Sequence, residues 1–307
     1  MGSRTTPLRS YSALAALYFF WGTTYLGIRI ALETFPPLQL IAIRFLLSGG
    51  MLLLGAKLLG LHIPTGKELR MTALYGLIML GTGNGALVYA EQWIPSGLAA
   101  LFVSTAPFWM VGLQTVLPPT ERIHPPTLAG IIVGFLGVLI LVAPAALGAP
   151  GSQGIIQGFL LLQFSVCCWC LGALLQRRLP TQANPIVSGA VQQFAVGLFY
   201  TPLALLVPAH PIRWSDRGIL ALVWLVLFGS IVGYSAFTYS MEYLPVAIVA
   251  THTFVNPIVA VFLGWLILAE PFGWREALAI VAVVLGVALV KIFSRKPSPK
   301  QSRAAEA

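Results

Sequence analysis

Ten stretches of this chain are almost continuously apolar, and polar residues gather in the short connections between them. They run over 12–32, 37–59, 70–91, 97–117, 126–143, 155–175, 186–207, 218–240, 246–268 and 273–293. Each is long enough to cross a hydrocarbon layer of about 30 Å as a helix. None alternates apolar and polar residues as a membrane barrel strand would. The pattern predicts an all-α integral membrane protein with ten transmembrane helices. One stretch breaks the apolar rule. "ATHTFVNPIV", residues 250–259, sets His252, Asn256, two threonines and Pro257 inside the charge-free run 246–268. In lipid such residues are costly, so they imply a site or an interhelical contact.

Composition agrees with the pattern. The chain is 58% hydrophobic and 9% charged, with a mean hydropathy of +0.87. An ordinary soluble domain carries about 25% charged residues. The net charge of +9 suggests nucleic acid until its placement is read. With the N-terminus in the cytoplasm, the cytoplasmic connections hold 13 Lys and Arg residues and the outer ones hold 4, with Arg44 left inside a segment. The positive-inside rule then puts both termini in the cytoplasm, and the basic excess reads as orientation and lipid attraction. The first segment is too long for a signal-peptide core and lacks an A-x-A-like site. Cys167, Cys168 and Cys170 sit together on one segment without zinc-site spacing and read as packing residues.

The chain also resembles itself. At a shift of 150 residues, Tyr89 falls on Tyr239, Pro95 on Pro245 and Pro107 on Pro257. At 149, Glu121 falls on Glu270 and "LGV" at 136–138 on "LGV" at 285–287. At 148, Trp21 falls on Trp169, Arg29 on Arg177 and Pro37 on Pro185. The matches keep their order along both halves. Each half then holds five helices, over 12–143 and 155–293, followed by a cytoplasmic tail, 294–307. Five is odd, so the second half enters the membrane from the opposite side. Two inverted five-helix repeats are the architecture of many secondary transporters, with the site near the midplane where the repeats meet.

Several fragments carry a family resemblance. "WGTTYLGIRIAL" (21–32), "AIRFLLSGGMLLL" (42–54), "STAPFWMVGL" (104–113) and the pair "TERIHPPTLAGIIVGFLGVLIL" (120–141) and "AEPFGWREALAIVAVVLGVALV" (269–290) resemble the EamA domains of the drug/metabolite transporter superfamily. The resemblance covers about 12 to 293. It implies ten helices, a central substrate cavity and bacterial inner-membrane export of amino acids or similar metabolites. The type it suggests most is an aromatic amino-acid exporter.

Candidate residues follow from what is expensive at membrane depth. Pro107 and Pro257 are repeat mates, and each leaves the carbonyl four residues earlier without its helical donor. A kink there exposes a polar group to a cavity, or serves packing alone. His252 and Asn256 are spaced i, i+4 and share a face. They suit ligand contact or gating, or an interhelical hydrogen bond. Asn84, in "GTGNGA" (81–86), has small neighbours that admit a ligand or another backbone. Trp21, Tyr25, Trp109, Trp169 and Tyr234 lie inside segments and, as a group, suit an apolar or aromatic side chain. Arg44 reads as the partner of Glu91 or Glu33, or as a contact for a substrate carboxylate. Gln192 and Gln193 occupy the matching zone of the other half; Gln163 and Gln114 have weaker claims. Rows of small residues, Gly130, Gly134 and Gly137 with Ala282 and Gly286, predict buttressing of each half or a dimer contact.

All nine acidic residues map to helix ends, loops or tails, which disfavours a proton-carrying carboxylate. There is no phosphate-binding loop, metalloprotease helix or calcium loop, and no cofactor or metal is expected. The sequence therefore predicts an alternating-access, uncoupled facilitator for small molecules, amino acids above all. Its partners are its substrate and membrane lipid, not nucleic acid, and it is a monomer or homodimer. The rivals are a drug or lipophilic-cation pump and an integral membrane enzyme acting on lipid. The first lacks its carboxylate and the second its catalytic cluster.

Overall fold

The structure, a computed structural model, describes residues 7–116, 125–148, 154–178, 182–244, 249 and 252–293. Among these residues the chain forms ten helical rods and no strand. We number them α1 (Pro7–Ala31), α2 (Pro37–Leu58), α3 (Gly66–Ala90), α4 (Ser96–Val103, resumed as Ala106–Val116), α5 (Pro125–Ala146), α6 (Ile155–Arg178), α7 (Pro185–Leu206), α8 (216–243), α9 (His252–Leu268) and α10 (Trp274–Phe293). The predicted segments and these rods differ mainly at their ends. The tail 294–307 and the Gln114 side chain lie outside the described residues.

Local chemistry sets several of the ends. Both α2 and its mate α7 begin with proline at the first turn, Pro37 and Pro185, where a missing N–H costs nothing. Asn184 accepts from Ile186 N at 2.9 Å, and Ser215 Oγ accepts from Gly218 N at 3.1 Å to start α8. Six rods, α2, α3, α4, α6, α7 and α8, contain spans long and apolar enough to cross a membrane by themselves. α1 is not among them. Its Trp21, Thr23 and Thr24 bond to backbone or to other helices, which suits a helix turned toward protein rather than lipid.

Two rods change winding in mid-course. α3 is π-helical over Leu77–Asn84 and α8 over Leu225–Val232. A shift of 148 residues carries one onto the other. Wide-wound turns of this kind loosen the backbone ladder and are frequent at functional sites.

The halves meet through small residues. α2 crosses α7 where a Cβ on Gly49 would lie 2.7 Å from Phe194 Cα, and one on Gly197 2.9 Å from Leu46 Cα. α5 crosses α10, with Gly137 against Ala282 Cβ and Gly286 against Gly130 O. The α5 row buttresses its own half through Gly134, which lies against Phe108 of α4, and it also joins the two halves through α10, which the sequence pattern does not predict. Backbones approach that closely only where no side chain intervenes.

The connections sort onto two faces, as ten crossings require. On one face Thr34 Oγ1 meets Ser215 Oγ at 2.7 Å, and Arg213 N donates to Thr34 O at 3.1 Å. There too, the backbone turn at Ala269 (φ 52°) precedes Glu270, whose carboxylate accepts from Ser96 N (2.8 Å), Ser96 Oγ (3.0 Å) and Gly97 N (3.1 Å). That carboxylate, from the second half, completes the start of α4 in the first. On the other face Glu68 Oε1 accepts from Gln182 N (2.7 Å) and Ala183 N (3.0 Å). Thr34 and Gln182 are repeat mates, so a corresponding joint recurs on opposite faces.

Candidate functional site

Trp21 is the hub of a ring cluster drawn from four helices and both halves. From α1 its indole stacks on Phe237 of α8 with centroids 5.0 Å apart. It meets His252 of α9 edge-on at 5.4 Å, Trp169 of α6 edge-on at 5.9 Å and Tyr234 of α8 at 6.4 Å. Phe237 also touches His252 at 5.9 Å and Tyr234 at 6.2 Å. Trp21 and Trp169 are repeat mates, so their contact lies where the two halves face each other. Edge-on and offset ring contacts are the favoured geometries for holding such a cluster together.

Hydrogen bonds fix the rings. Trp21 Nε1 donates to Gly229 O, a carbonyl of the α8 π segment, at 3.2 Å. Tyr234 Oη donates to Gln192 Oε1 at 2.6 Å, and Gln192 Nε2 donates to Gln176 Oε1 at 3.0 Å. His252 Nδ1 meets Val249 O at 2.9 Å. With its amide turned to satisfy its neighbours, Asn256 Nδ2 donates to His252 O (3.1 Å) and Tyr18 O (3.2 Å), tying α9 to α1. The predicted i, i+4 face of His252 and Asn256 is therefore built into the wall of the cluster, with Asn256 buried behind it.

The two prolines differ in what surrounds them. Pro107 follows a true break, a turn at Ser104–Thr105 between the two pieces of α4. Gln163 of α6 services the break: its Oε1 accepts from Thr105 Oγ1 (3.1 Å) and Trp109 Nε1 (2.8 Å), and its Nε2 donates to Phe102 O (3.4 Å). Trp109 is thus held by α6 and makes none of the ring contacts of the Trp21 cluster. Pro257 lies within the helix of α9, which runs without a break from His252 to Leu268. Asn84 closes the α3 π segment beside α6, where Ser165 Oγ donates to Gly83 O at 2.6 Å. Its Oδ1 is buried without a partner. Tyr25, one turn beyond Trp21, is buried within electrostatic range of Glu91.

Arg44 does not form the ion pair that its position suggested. Glu33 pairs instead with Arg217 at 3.7 Å. Glu91 is within electrostatic range of Arg44 and Arg29 but pairs with neither through its carboxylate; both of its oxygens are buried without a hydrogen-bond partner. Its backbone carbonyl accepts from Arg29. Arg44 donates from Nε to Ser230 Oγ at 2.9 Å and leaves Nη1 unpartnered. Glu91 also corrects the reading of the acidic residues. It stands at a helix end in sequence, yet its relative exposure is 0%.

The fold and the repeat are those of a known family. The EamA-like transporter family matches residues 8–143 and again 156–292. The chain belongs to that family. Relatives agree: the uncharacterized inner membrane transporter YedA of Escherichia coli strain K12 is 33% identical over 94% of this chain and 93% of its own. Protein PecM of Dickeya dadantii is 24% identical over 91% and 92%. A crystal structure that is 19% identical matches 98% of this chain and 99% of its own with a TM-score of 0.66, which supports the fold. This EamA chain is a multi-pass membrane transporter of the drug/metabolite superfamily, built from two five-helix repeats, and its substrate is a small molecule.

Sequence reasoning missed some members of the centre in this EamA chain. Phe237 lies three residues beyond Tyr234 and so shares its face. Gly229 and Ser230 are the repeat mates of Gly81 and Thr82, so carrying the shift through "GTGNG" would have found them. Nothing in the sequence marked Glu91 as buried, because its burial comes from helices remote in the chain.

Proposed function

We propose that the protein exports amino acids, including large apolar and aromatic ones, across a bacterial inner membrane by alternating access. The observation that supports this most is the ring cluster at Trp21, shared between the two halves and walled by His252 and Asn256. An aromatic side chain gains there what it gains in any apolar ring pocket: area removed from water and favourable ring geometry. Asn84, with its unpartnered buried oxygen, is a further polar contact. The close glycine crossings of α2 with α7 and α5 with α10 give two pivots on which one repeat rocks against the other. Breaking and remaking the loop joints, such as Glu270 on Ser96, opens one face at a time.

Both termini face the cytoplasm on this reading, and the Lys and Arg distribution of 13 against 4 supports it. Reporter fusions after the last helix and in the connection between α5 and α6 will report opposite sides. The protein works as a monomer or a homodimer on this reading.

Flux follows the substrate gradient, with no ion required. Radiolabelled uptake into proteoliposomes, across a panel of amino acids and lipophilic cations, tests both parts. Aromatic amino acids are expected to enter without an imposed ion gradient and faster into preloaded vesicles. Uptake of cations alone would replace the substrate reading. The burial of Glu91 favours a second reading of the coupling, in which a proton travels against the substrate on this carboxylate. Arg29, Arg44, Tyr25 and Glu270 are the charged or titratable groups around it. Concentrative uptake on a pH step, lost in Glu91→Gln, would select that reading.

A further inference from the structure

Arg44 is a guanidinium taken almost wholly out of water, at 5% relative exposure, with its bonding incomplete. Nε is spent on Ser230 Oγ at 2.9 Å, and the guanidinium lies 5.1 Å from the Phe45 ring centroid. Nη1 has no acceptor. Among the described residues the ion pairs are Arg217 with Glu33 and His62 with Glu68, and Arg44 takes part in neither. A buried cation is tolerated only when its donors and charge are matched, so a free N–H at this depth calls for an acceptor.

Three features state what the acceptor is. The first is charge. Arg44 is a cation, and Glu91, the carboxylate in its electrostatic range, gives it no hydrogen bond. Glu270, the carboxylate in range of Glu91, is committed to Ser96 and Gly97. The complement is an anion. The second is shape. A guanidinium fork is matched to planar, two-oxygen groups, carboxylates in particular. The third is position. Arg44 binds Ser230, and the preceding residue, Gly229, holds Trp21 Nε1 through its carbonyl. The guanidinium and the hub of the ring cluster are thus fastened to consecutive residues of one π-helical segment. A Cβ on Gly229 would stand 3.3 Å from Arg44 Nη2, so the guanidinium lies directly against this residue. A ligand bearing an aromatic body and a carboxylate a few ångströms apart fits both.

We propose that Arg44 is the carboxylate subsite of the transport site, its Nη1 donating to the substrate's carboxylate while the ring of the substrate lies against Trp21. The proposal rests on the transport reading above and sharpens its substrate class to aromatic carboxylic acids, amino acids among them. It also accounts for a buried arginine at the matching position of only one half, since the repeat mate of Arg44 is the neutral Gln192.

The test uses the full-length protein in proteoliposomes and, in parallel, thermal unfolding in detergent. The probes are L-phenylalanine, L-phenylalaninamide, phenethylamine and 3-phenylpropionate. In the wild type, L-phenylalanine and 3-phenylpropionate are expected to compete with labelled L-phenylalanine and to raise the unfolding temperature. The amide and the amine should be weaker by about 30-fold or more, the scale of losing a buried charged hydrogen bond. Arg44→Gln should abolish that discrimination, and Arg44→Lys should raise KM while keeping part of it. Equal competition by phenethylamine and L-phenylalanine in the wild type, or an unchanged KM in Arg44→Gln, overturns the subsite and leaves the transport reading standing. Carboxylate-dependent stabilisation without any amino-acid transport upholds the subsite and removes amino-acid export. If neither variant folds, the probe series in the wild type decides by itself.

Discussion

In α3, Gly81 offers its carbonyl to Tyr200 Oη at 2.9 Å and the next residue, Thr82, is exposed. In α8, Gly229 offers its carbonyl to Trp21 Nε1 at 3.2 Å and the next residue, Ser230, is buried against Arg44. The two π segments occupy the same place in the two repeats and have the same backbone form. Their neighbours differ. Around the first, Phe164 and Phe199 are half exposed and line a lateral groove of about 280 Å³ with Thr82 and Tyr200. Thr82 satisfies its hydroxyl locally, on Leu77 O at 3.2 Å. Around the second, Thr24, Arg44, Gln193 and Trp21 close in; Gln193 Nε2 donates to Ser230 O at 3.4 Å. Duplication supplied one backbone device twice, and side chains from other helices turned one copy toward the bilayer and the other toward the centre.

Trp21→Ala should separate the two copies most strongly. It removes the hub of the ring cluster and the donor to Gly229 O. Trp21 is partly buried, so the change should cost less than the ~3–5 kcal/mol of a fully buried Trp→Ala. Uptake of aromatic amino acids should fall below detection while Trp21→Phe, which keeps a ring, retains part of it. Wild-type uptake by the alanine variant would remove the cluster from the transport path.

Next comes the glycine pair. A Cβ on Gly229 would stand 2.9 Å from Thr24 Cγ2 and 3.3 Å from Arg44 Nη2, whereas on Gly81 its nearest neighbour is Val196 Cγ2 at 3.6 Å. Gly229→Ala should therefore lower stability by about 1–3 kcal/mol, and Gly81→Ala by less than about 0.5. Melting temperatures of the two purified variants check the order, and equal shifts would mean that the two segments are equally crowded.

Asn256→Ala removes the second, side-chain donor from two helix carbonyls, His252 O and Tyr18 O, and with it the tie between α9 and α1. A transport loss of about tenfold is expected with the fold retained, which uptake and size-exclusion profiles will separate. The smallest effect is assigned to Tyr200→Phe. It forfeits one bond to Gly81 O, about 1 kcal/mol, and should leave uptake unchanged because that copy faces away from the centre. A transport defect there would place the lateral groove on the substrate's path.

Much of this was legible beforehand for a plain reason. Lipid demands long apolar helices with internally bonded backbones, so the ten rods are visible as ten apolar runs. The inverted repeat was visible because duplication left Trp21 and Trp169, Pro37 and Pro185, and Pro107 and Pro257 in register. The aromatic candidates were partly sorted by the same logic. Trp21, Trp169, Tyr234 and His252 come together in one cluster, while Trp109 is drawn off by Gln163.

By itself the sequence determined the solvent, the number and length of the helices, the repeat and the family, because each is a property of residues close in the chain or of a period along it. Tertiary structure alone decided which polar groups are matched. Glu91 reads as a helix end and is buried, because neighbouring helices cover it. Arg44 reads as half of an ion pair and keeps a free N–H, because Glu33 is taken by Arg217 and Glu91 leaves its oxygens unspent. Pairing at membrane depth depends on distances of a few ångströms between residues far apart in the chain, and no period in the sequence carries that information.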